Sequence, residues 1–375
     1  MWTGSKNLRA PEGYLPAFSL YLENMNRGIQ MNYKDIVNQL REQLSGDNKK
    51  DQEMLQNRAE EFAKAGDYEG LKATGELIME VLPAGTQSEV YRLTHLDGER
   101  LDMVHQRIVE MIKEKQLVEA LPLAEKLYKK IILDFGETDT AKFVSLRNPF
   151  EDNLCQILFP TEKVMNRTPF DFCTFITTYA YLLVENNATI NAIPVLEKAI
   201  SYNPVDTAPR FELAEVYKLN QNKKMVIDVT RETLAIASSP VAIARCYANV
   251  GYALTDAREL DDAAIFYFAS VRFAPHPAIP MELKNLADMK GSPIINPTQK
   301  EIIDTIHKYD LEYGPSRTVI EVASSLSNKF LSEGNRDSGL KCLKILYTLT
   351  LDPKIKDTIL KLEPDAPMVV PTDNA

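Results

Sequence analysis

Four histidines (His95, His105, His276, His307) and four cysteines (Cys155, Cys173, Cys246, Cys342) are the side chains with which this chain could bind a transition metal or begin nucleophilic chemistry. Structural and catalytic metal sites draw ligands from closely spaced pairs, because a short loop or one helical turn then fixes their geometry. No histidine stands at such a spacing from another histidine or a cysteine, and no CxxC pair occurs. His105 lies on a helical pattern and reads as a surface or interface residue. The phosphate loops GxxxxGK and GxGxxG, the GxSxG turn and the HExxH helix are also absent. Glu212 and Glu215, one helical turn apart beside Lys218, could do acid–base work, but such a pair on an amphipathic helix is more often a solvated face. The expectation is a protein without catalytic residues, cofactor or metal.

The elements that must position any functional residue are clearest from Phe172 to Pro275, which reads as three helix–turn–helix units ending at Pro204, Pro240 and Pro275. The first unit has small residues at Ala180, Ala192 and Ala199, with Leu183 and Leu196 between them. The third has Gly251, Ala263 and Ser270 in the same relative places, with Leu254 and Tyr267 as the large residues. Small residues let two helices approach, and large ones fill the space between neighbouring pairs. A terminal proline stops the second helix and biases the preceding residue toward an extended conformation. The middle unit keeps Leu213, Ala214 and Tyr217 but carries Val226, Thr230 and Thr233 in its second helix, and reads as divergent. A separate echo supports repetition: Ala120-Leu-Pro122-Leu-Ala-Glu125-Lys126 recurs 72 residues later as Ala192-Ile-Pro194-Val-Leu-Glu197-Lys198, two repeats of about 34 residues.

The residues Ala180, Ala192, Ala199 and Pro204, then Leu213, Ala214 and Tyr217, then Gly251, Leu254, Ala263, Tyr267 and Pro275 resemble the tetratricopeptide repeat family. The strings Asn203–Lys218 and Ala244–Leu254 are also similar to a group of bacterial repeat proteins whose activity is uncharacterised. The resemblance implies an all-α, right-handed α–α superhelix, interrupted here by irregular insertions. It also implies a concave groove, lined by the first helix of each pair, that commonly holds a peptide or partner helix. Residues projecting there would be Thr174, Thr177 and Tyr181, then Phe211, Glu215 and Lys218, then Arg245, Asn249, Tyr252 and Thr255. Tyr181, Phe211, Glu215, Lys218, Arg245, Asn249 and Tyr252 are the candidate partner-binding set, since tyrosines give contact area at low entropic cost while arginine and asparagine can hold a carboxylate or a peptide backbone. Some family members bind a chaperone's C-terminal carboxylate through a lysine-asparagine-asparagine-lysine-arginine set. Thr177, Tyr181 and Glu212 occupy those places here and only Arg245 keeps the type, which argues against that ligand.

At 375 residues the chain exceeds a single ordinary core, as a repeat array would. A net charge of −10 and a pI near 5.2 provide no basic field for nucleic acid or an anionic membrane. No run of 18 apolar residues occurs, the first residues lack a signal-peptide core, and the widely spaced cysteines read as reduced, mostly buried thiols. The expected location is the cytoplasm, and the expected partner is a protein or peptide rather than nucleic acid or membrane.

In chain order, the pattern predicts an N-terminal lead and capping helices over 1–50, with an irregular start over 1–16 and a helix break near Arg27-Gly28. Divergent repeats follow over 51–133, with a corner at Gly66-Asp67. An aromatic, proline-rich insert spans 134–171, with short helices at Asn153–Phe159 and Thr161–Met165; a packed insert is favoured over a binding loop. The three-unit core covers 172–275, and a proline-rich break covers 276–297 with a helix at Met281–Met289. C-terminal helices with a divergent unit ending at Leu351-Asp352-Pro353 occupy 298–362, before a disordered tail over 363–375. The preferred function is a non-catalytic scaffold or adaptor. The alternatives are a peptide-sensing regulator, which wants a DNA-binding module that the first 50 residues do not show, and an enzyme, which needs a polar cluster near the 134–171 insert.

Overall fold

The structure is a computed structural model that describes residues 33–65 and 68–365. The expected lead, the break near Arg27-Gly28, the Gly66-Asp67 corner and most of the tail lie outside those residues. Eighteen helices and four short strands are described, and the contacts divide the chain into two compact units with the boundary between Met103 and Val104.

In the first unit α1 (Tyr33–Arg41), α2 (Asn48–Ala65) and α3 (Tyr68–Val81) enclose a small core of Ile36, Val37, Leu40, Leu55, Ala73, Leu77 and Val81. α4 (Ala84–Thr94) leads into a hairpin of β1 (His95–Leu96) and β2 (Glu99–Arg100). Its turn is Asp97-Gly98, both residues at positive φ (53° and 84°), the conformation that a two-residue hairpin requires.

The remaining chain is built of helix hairpins. α5 (Leu101–Lys113) is followed by α6 (Leu117–Asp134) across a tight corner, and α8 (Phe172–Glu185) pairs with α9 (Thr189–Tyr202) and α10 (Ala208–Leu219) with α11 (Lys223–Ile236). α12 (Pro240–Asp256) likewise pairs with α13 (Leu260–Phe273), and α16 (Arg317–Ser332) with α17 (Arg336–Thr350). One backbone device recurs in all of these corners. Lys115, Asn187, Gln221, Arg258 and Gly334, each two residues before the second helix, are left-handed, with φ between 54° and 76°. The next amide donates five residues back: Gln116 to Met111, Ala188 to Leu183, Asn222 to Tyr217, Glu259 to Leu254 and Asn335 to Phe330, at 2.8–2.9 Å. This is the Schellman closure, which satisfies carbonyls left open at a helix end. It is a structural repeat, independent of side-chain identity, and it defines an all-α helical-repeat fold.

Only Gly334 adopts that conformation freely. Gln221→Gly is therefore expected to raise stability by about 0.5 kcal/mol, the relief of left-handed strain less the added unfolded-state entropy. Gly334→Ala is expected to lower it by about 1 kcal/mol. Urea unfolding midpoints would check both.

The small residues predicted at helix contacts are fully buried: Ala180, Ala192, Ala199, Ala263 and Ser270. Val226, Thr230 and Thr233 of the divergent unit are buried too, and Thr233 returns its hydroxyl to the Val229 carbonyl at 2.6 Å. Pro122 and Pro194 occupy the same sixth position of α6 and α9, past the first turn, so each deletes one helix hydrogen bond. Ala274, before Pro275, is extended as expected. Pro240 differs: it does not close α11 but opens α12 at its first position, with Ser239 as N-cap, where a missing N–H costs nothing.

The 134–171 segment is packed. β3 (Ala141–Val144) and β4 (Val164–Arg167) pair in parallel, and α7 (Pro149–Leu158) lies between them in sequence. The expected helix at Thr161–Met165 is thus a strand instead. Between Pro160 and Pro169 there is too little chain to nucleate a helix, and the ladder to β3 satisfies the backbone. Phe150, Leu154 and Cys155 of α7 join Val205, Ile236 and the α16–α17 residues Val319, Val322, Leu326 and Leu346 in one core.

The second break also folds back. α14 (Ile279–Lys290) and α15 (Gln299–Lys308, opened by a Thr298–Glu301 capping box) pack on α13. Arg231 of α11 donates to the carbonyls of Tyr309 and Asp310, and Tyr247 of α12 clamps the following loop by donating to Glu312 O and accepting from Gly314 N. The hairpin α16–α17 ends at Thr350, just before Leu351-Asp352-Pro353. Asp352 caps, and Pro353 opens, a further helix, α18 (Pro353–Leu362).

Candidate functional site

The first helices α8, α10 and α12 are consecutive neighbours, so residues at helical spacing on each share a face. Tyr181 and Glu185 come from α8; Phe211, Glu212, Glu215 and Lys218 from α10; Arg245, Asn249, Tyr252 and Asp256 from α12. The partner-binding candidates of α10 and α12 converge into one cluster. Lys218 Nζ lies 2.7 Å from Glu215 Oε1, donates to Asn249 Oδ1 at 3.1 Å, and sits 5.0 Å from the centre of the Tyr252 ring. The Arg245 guanidinium stacks over Phe211 at 4.4 Å, within 3.6 Å of Glu215 and 3.9 Å of Glu212. Tyr181 stands in the field of Glu185 and Glu212.

Two candidates differ from their expected place. Phe211 and Asn249 are buried and form the floor rather than projecting. Phe211 supplies the surface on which Arg245 lies, and Asn249 turns its oxygen to the buried Lys218. Tyr252 is the open one, 41% exposed. The Glu212–Glu215 pair is not a plain solvated face, since both carboxylates approach Arg245. Of the other groove positions, Thr174 is tied to Asp171, and Thr177 bonds the Cys173 carbonyl and is buried.

Electrostatics follow burial. Desolvation lowers the Lys218 ammonium despite Glu215, and Arg245 adds to that lowering. Desolvation raises Glu212; Arg245 opposes the shift and Glu215 reinforces it. Glu185 is raised by burial, and Tyr181 is pushed up to about 12 by burial and then by Glu185 and Glu212. His276, from the loop after Pro275, is lowered by burial and then by Arg245 and Lys218. His276 and Glu185 are members that the sequence reading missed. Glu185 follows Tyr181 by one helical turn, a usable signal; His276 has none, because the fold-back of its loop places it.

A carboxyl raised above its ordinary value binds protons more tightly in the folded than in the unfolded state. Glu212 therefore favours folding most at low pH, and this contribution falls as pH rises above the ordinary glutamate value. Glu212→Gln should remove that slope: relative to the variant, wild type loses stability as pH rises above the ordinary glutamate value, and the variant is no less stable at neutral pH. Thermal melts across pH would check this.

A second charged cluster lies beside the insert, where the enzyme alternative asked for one. Arg147 meets Glu151 at 2.7 Å and Asp206 at 3.2 Å, while buried Asn203 donates to Glu151 at 2.9 Å and to Ser145 O at 3.2 Å. Burial raises Asp171, with Arg147 and Thr174 opposing. All four cysteines are buried and unpaired, and burial raises each thiol. His105 is buried, not at the surface: it bonds Thr178 Oγ1 at 2.9 Å and stacks on Phe175 at 4.2 Å. Its neighbours fill the space that an interface would need. Among the described residues no group of three or more His, Cys, Asp or Glu is placed to hold a metal ion, and no helix is long and apolar enough to cross a membrane.

No family model and no curated protein matches the chain. Among solved structures it is similar to a tetratricopeptide repeat protein from Parabacteroides merdae, at 13% identity over 83% of this chain and 98% of that one, with a TM-score of 0.36. A likeness at that score carries no weight of its own. The class, an all-α helical-repeat scaffold, rests on the recurring hairpins and their shared corner geometry.

Proposed function

We propose that this protein is a non-catalytic scaffold or adaptor that binds a protein or peptide in the groove formed by α8, α10 and α12. The observation that carries this reading is the convergence of Tyr181, Glu212, Glu215, Lys218, Arg245 and Tyr252 on one face of neighbouring first helices, with exposed tyrosine surface beside internally paired charges. Tyrosines framed by oriented polar groups are suited to a peptide, which needs contact area and directional bonds at low entropic cost. The acidic balance argues against nucleic acid. The four unpaired thiols support a cytoplasmic location, where cysteines remain reduced.

Selection from a random peptide phage library tests the reading. Sequences enriched on wild type should bind the Tyr181→Ala/Tyr252→Ala variant about tenfold more weakly or worse. Enriched peptides that bind both proteins equally, or no enrichment at all, would remove the groove from consideration.

A further inference from the structure

The two cations of the groove are already committed. Lys218, with a side chain 5% exposed, is held by Glu215, Asn249 and the Tyr252 ring. Arg245 is spread over Phe211 between two carboxylates. An anionic ligand would have to displace Glu215 from both. The carboxylates are in the opposite condition. Glu212 keeps 27% of its side chain exposed, and its approach to Arg245, 3.9 Å, is too long for a hydrogen bond. Glu185 is open to solvent at its surface although its carboxyl is partly desolvated, and it makes no hydrogen bond or ion pair among the described residues. Asp256 and Glu282 add negative charge where Tyr252 opens, while His276 is held toward its neutral form by burial, Arg245 and Lys218.

Resting on the groove reading above, we propose that the ligand is a cationic peptide segment, whose lysine or arginine side chains are received by Glu185 and Glu212 beside Tyr181 and Tyr252. A charge brought to Glu212 meets a carboxylate at the base of a desolvated face, where attraction is stronger than in bulk water. Tyrosine rings at the same place add cation–π attraction, as the Tyr252 ring already shows toward Lys218 at 5.0 Å. The internal pairs Lys218–Glu215 and Arg245–Phe211 hold the floor still, so the outer carboxylates are pre-positioned for an incoming guanidinium or ammonium group.

Fluorescence anisotropy at physiological salt tests this with two labelled eight-residue peptides of matched aromatic content, one carrying four Arg/Lys and one carrying four Glu. The basic peptide should bind wild type. It should bind Glu185→Gln/Glu212→Gln about tenfold or more weakly, and the equally charged control Glu321→Gln/Glu333→Gln as wild type does. Equal binding to both double variants would mean attraction to the acidic surface at large and would overturn the proposal. Preference for the acidic peptide, with binding lost in Tyr181→Ala/Tyr252→Ala, would overturn it too while leaving the groove reading intact. Spermine displacing the basic peptide at lower concentration than the unlabelled peptide itself would assign the site to a small polyamine instead. Unchanged melting temperatures of the double variants keep folding out of the comparison.

Discussion

Replacing Gly251 with leucine is expected to destabilise the protein by about 3 kcal/mol or more, by overpacking the seam between α12 and α13. A Cβ at this position would lie 2.9 Å from both Cδ1 and Cε1 of Tyr267 and 3.3 Å from the Ala263 carbonyl oxygen. Tyr267 is fully buried and cannot swing aside. The reason for the glycine is visible by comparison with the first unit, where the corresponding pair is Ala180 and Leu196, both fully buried. A larger residue on the second helix requires a smaller one on the first. Gly251→Ala therefore costs about 1–2 kcal/mol in wild type, because the steric clash exceeds the roughly 1 kcal/mol of helix propensity gained. In a Tyr267→Leu background, which restores the first unit's combination, the same substitution should turn stabilising by up to about 1 kcal/mol. A double-mutant cycle by urea unfolding would show the change of sign. An identical penalty in both backgrounds would mean that Gly251 is needed for some other reason.

That pairing shows which part of the fold is legible in the sequence. Where two helices must approach within a side chain's width, residue size is constrained at fixed spacing, so Ala180, Ala192, Gly251 and Ala263 announce the hairpins. The corners are less legible. Lys115, Asn187, Gln221 and Arg258 take a left-handed conformation that glycine would have signalled, and only packing of the flanking helices holds them there. β3 and β4 escape notice because their burial does not alternate and their partners lie more than 20 residues apart, so no local period marks them as strands. The site divides in the same way. Helical spacing places Glu215 with Lys218 and Arg245 with Asn249 and Tyr252, but it does not reveal that the cations neutralise their own neighbours. Phe211 and Asn249 read as contact residues and form the floor, because the face is one layer deeper than a list of projecting positions suggests.

Asn203→Leu should cost about 3–4 kcal/mol, since it strands buried partners of which one is charged. Asn203 is fully buried at the corner between α9 and α10. Its amide donates to Ser145 O and Glu151 Oε2, and its oxygen accepts from Val205 N at 3.2 Å. Glu151 is the keystone of the insert, taking the Arg147 amide and guanidinium at 2.8 Å each. The corner Asn203–Asp206 is therefore where the core repeats receive the 145–151 segment, and Asp206 completes the contact through Arg147. Leucine fills a similar volume but offers neither donor nor acceptor, so one carboxylate oxygen, one carbonyl and the Val205 amide lose a buried partner together. The exposed Asn153, on α7 itself, serves as control: Asn153→Ala should change stability by less than about 0.5 kcal/mol. Because Phe150 and Leu154 carry the α16–α17 hairpin on the far side of the insert, loosening the corner should also speed proteolysis between Phe159 and Lys163 before the three-unit core is cut. A variant as stable and as protease-resistant as wild type would mean that α7 is held by its apolar face alone.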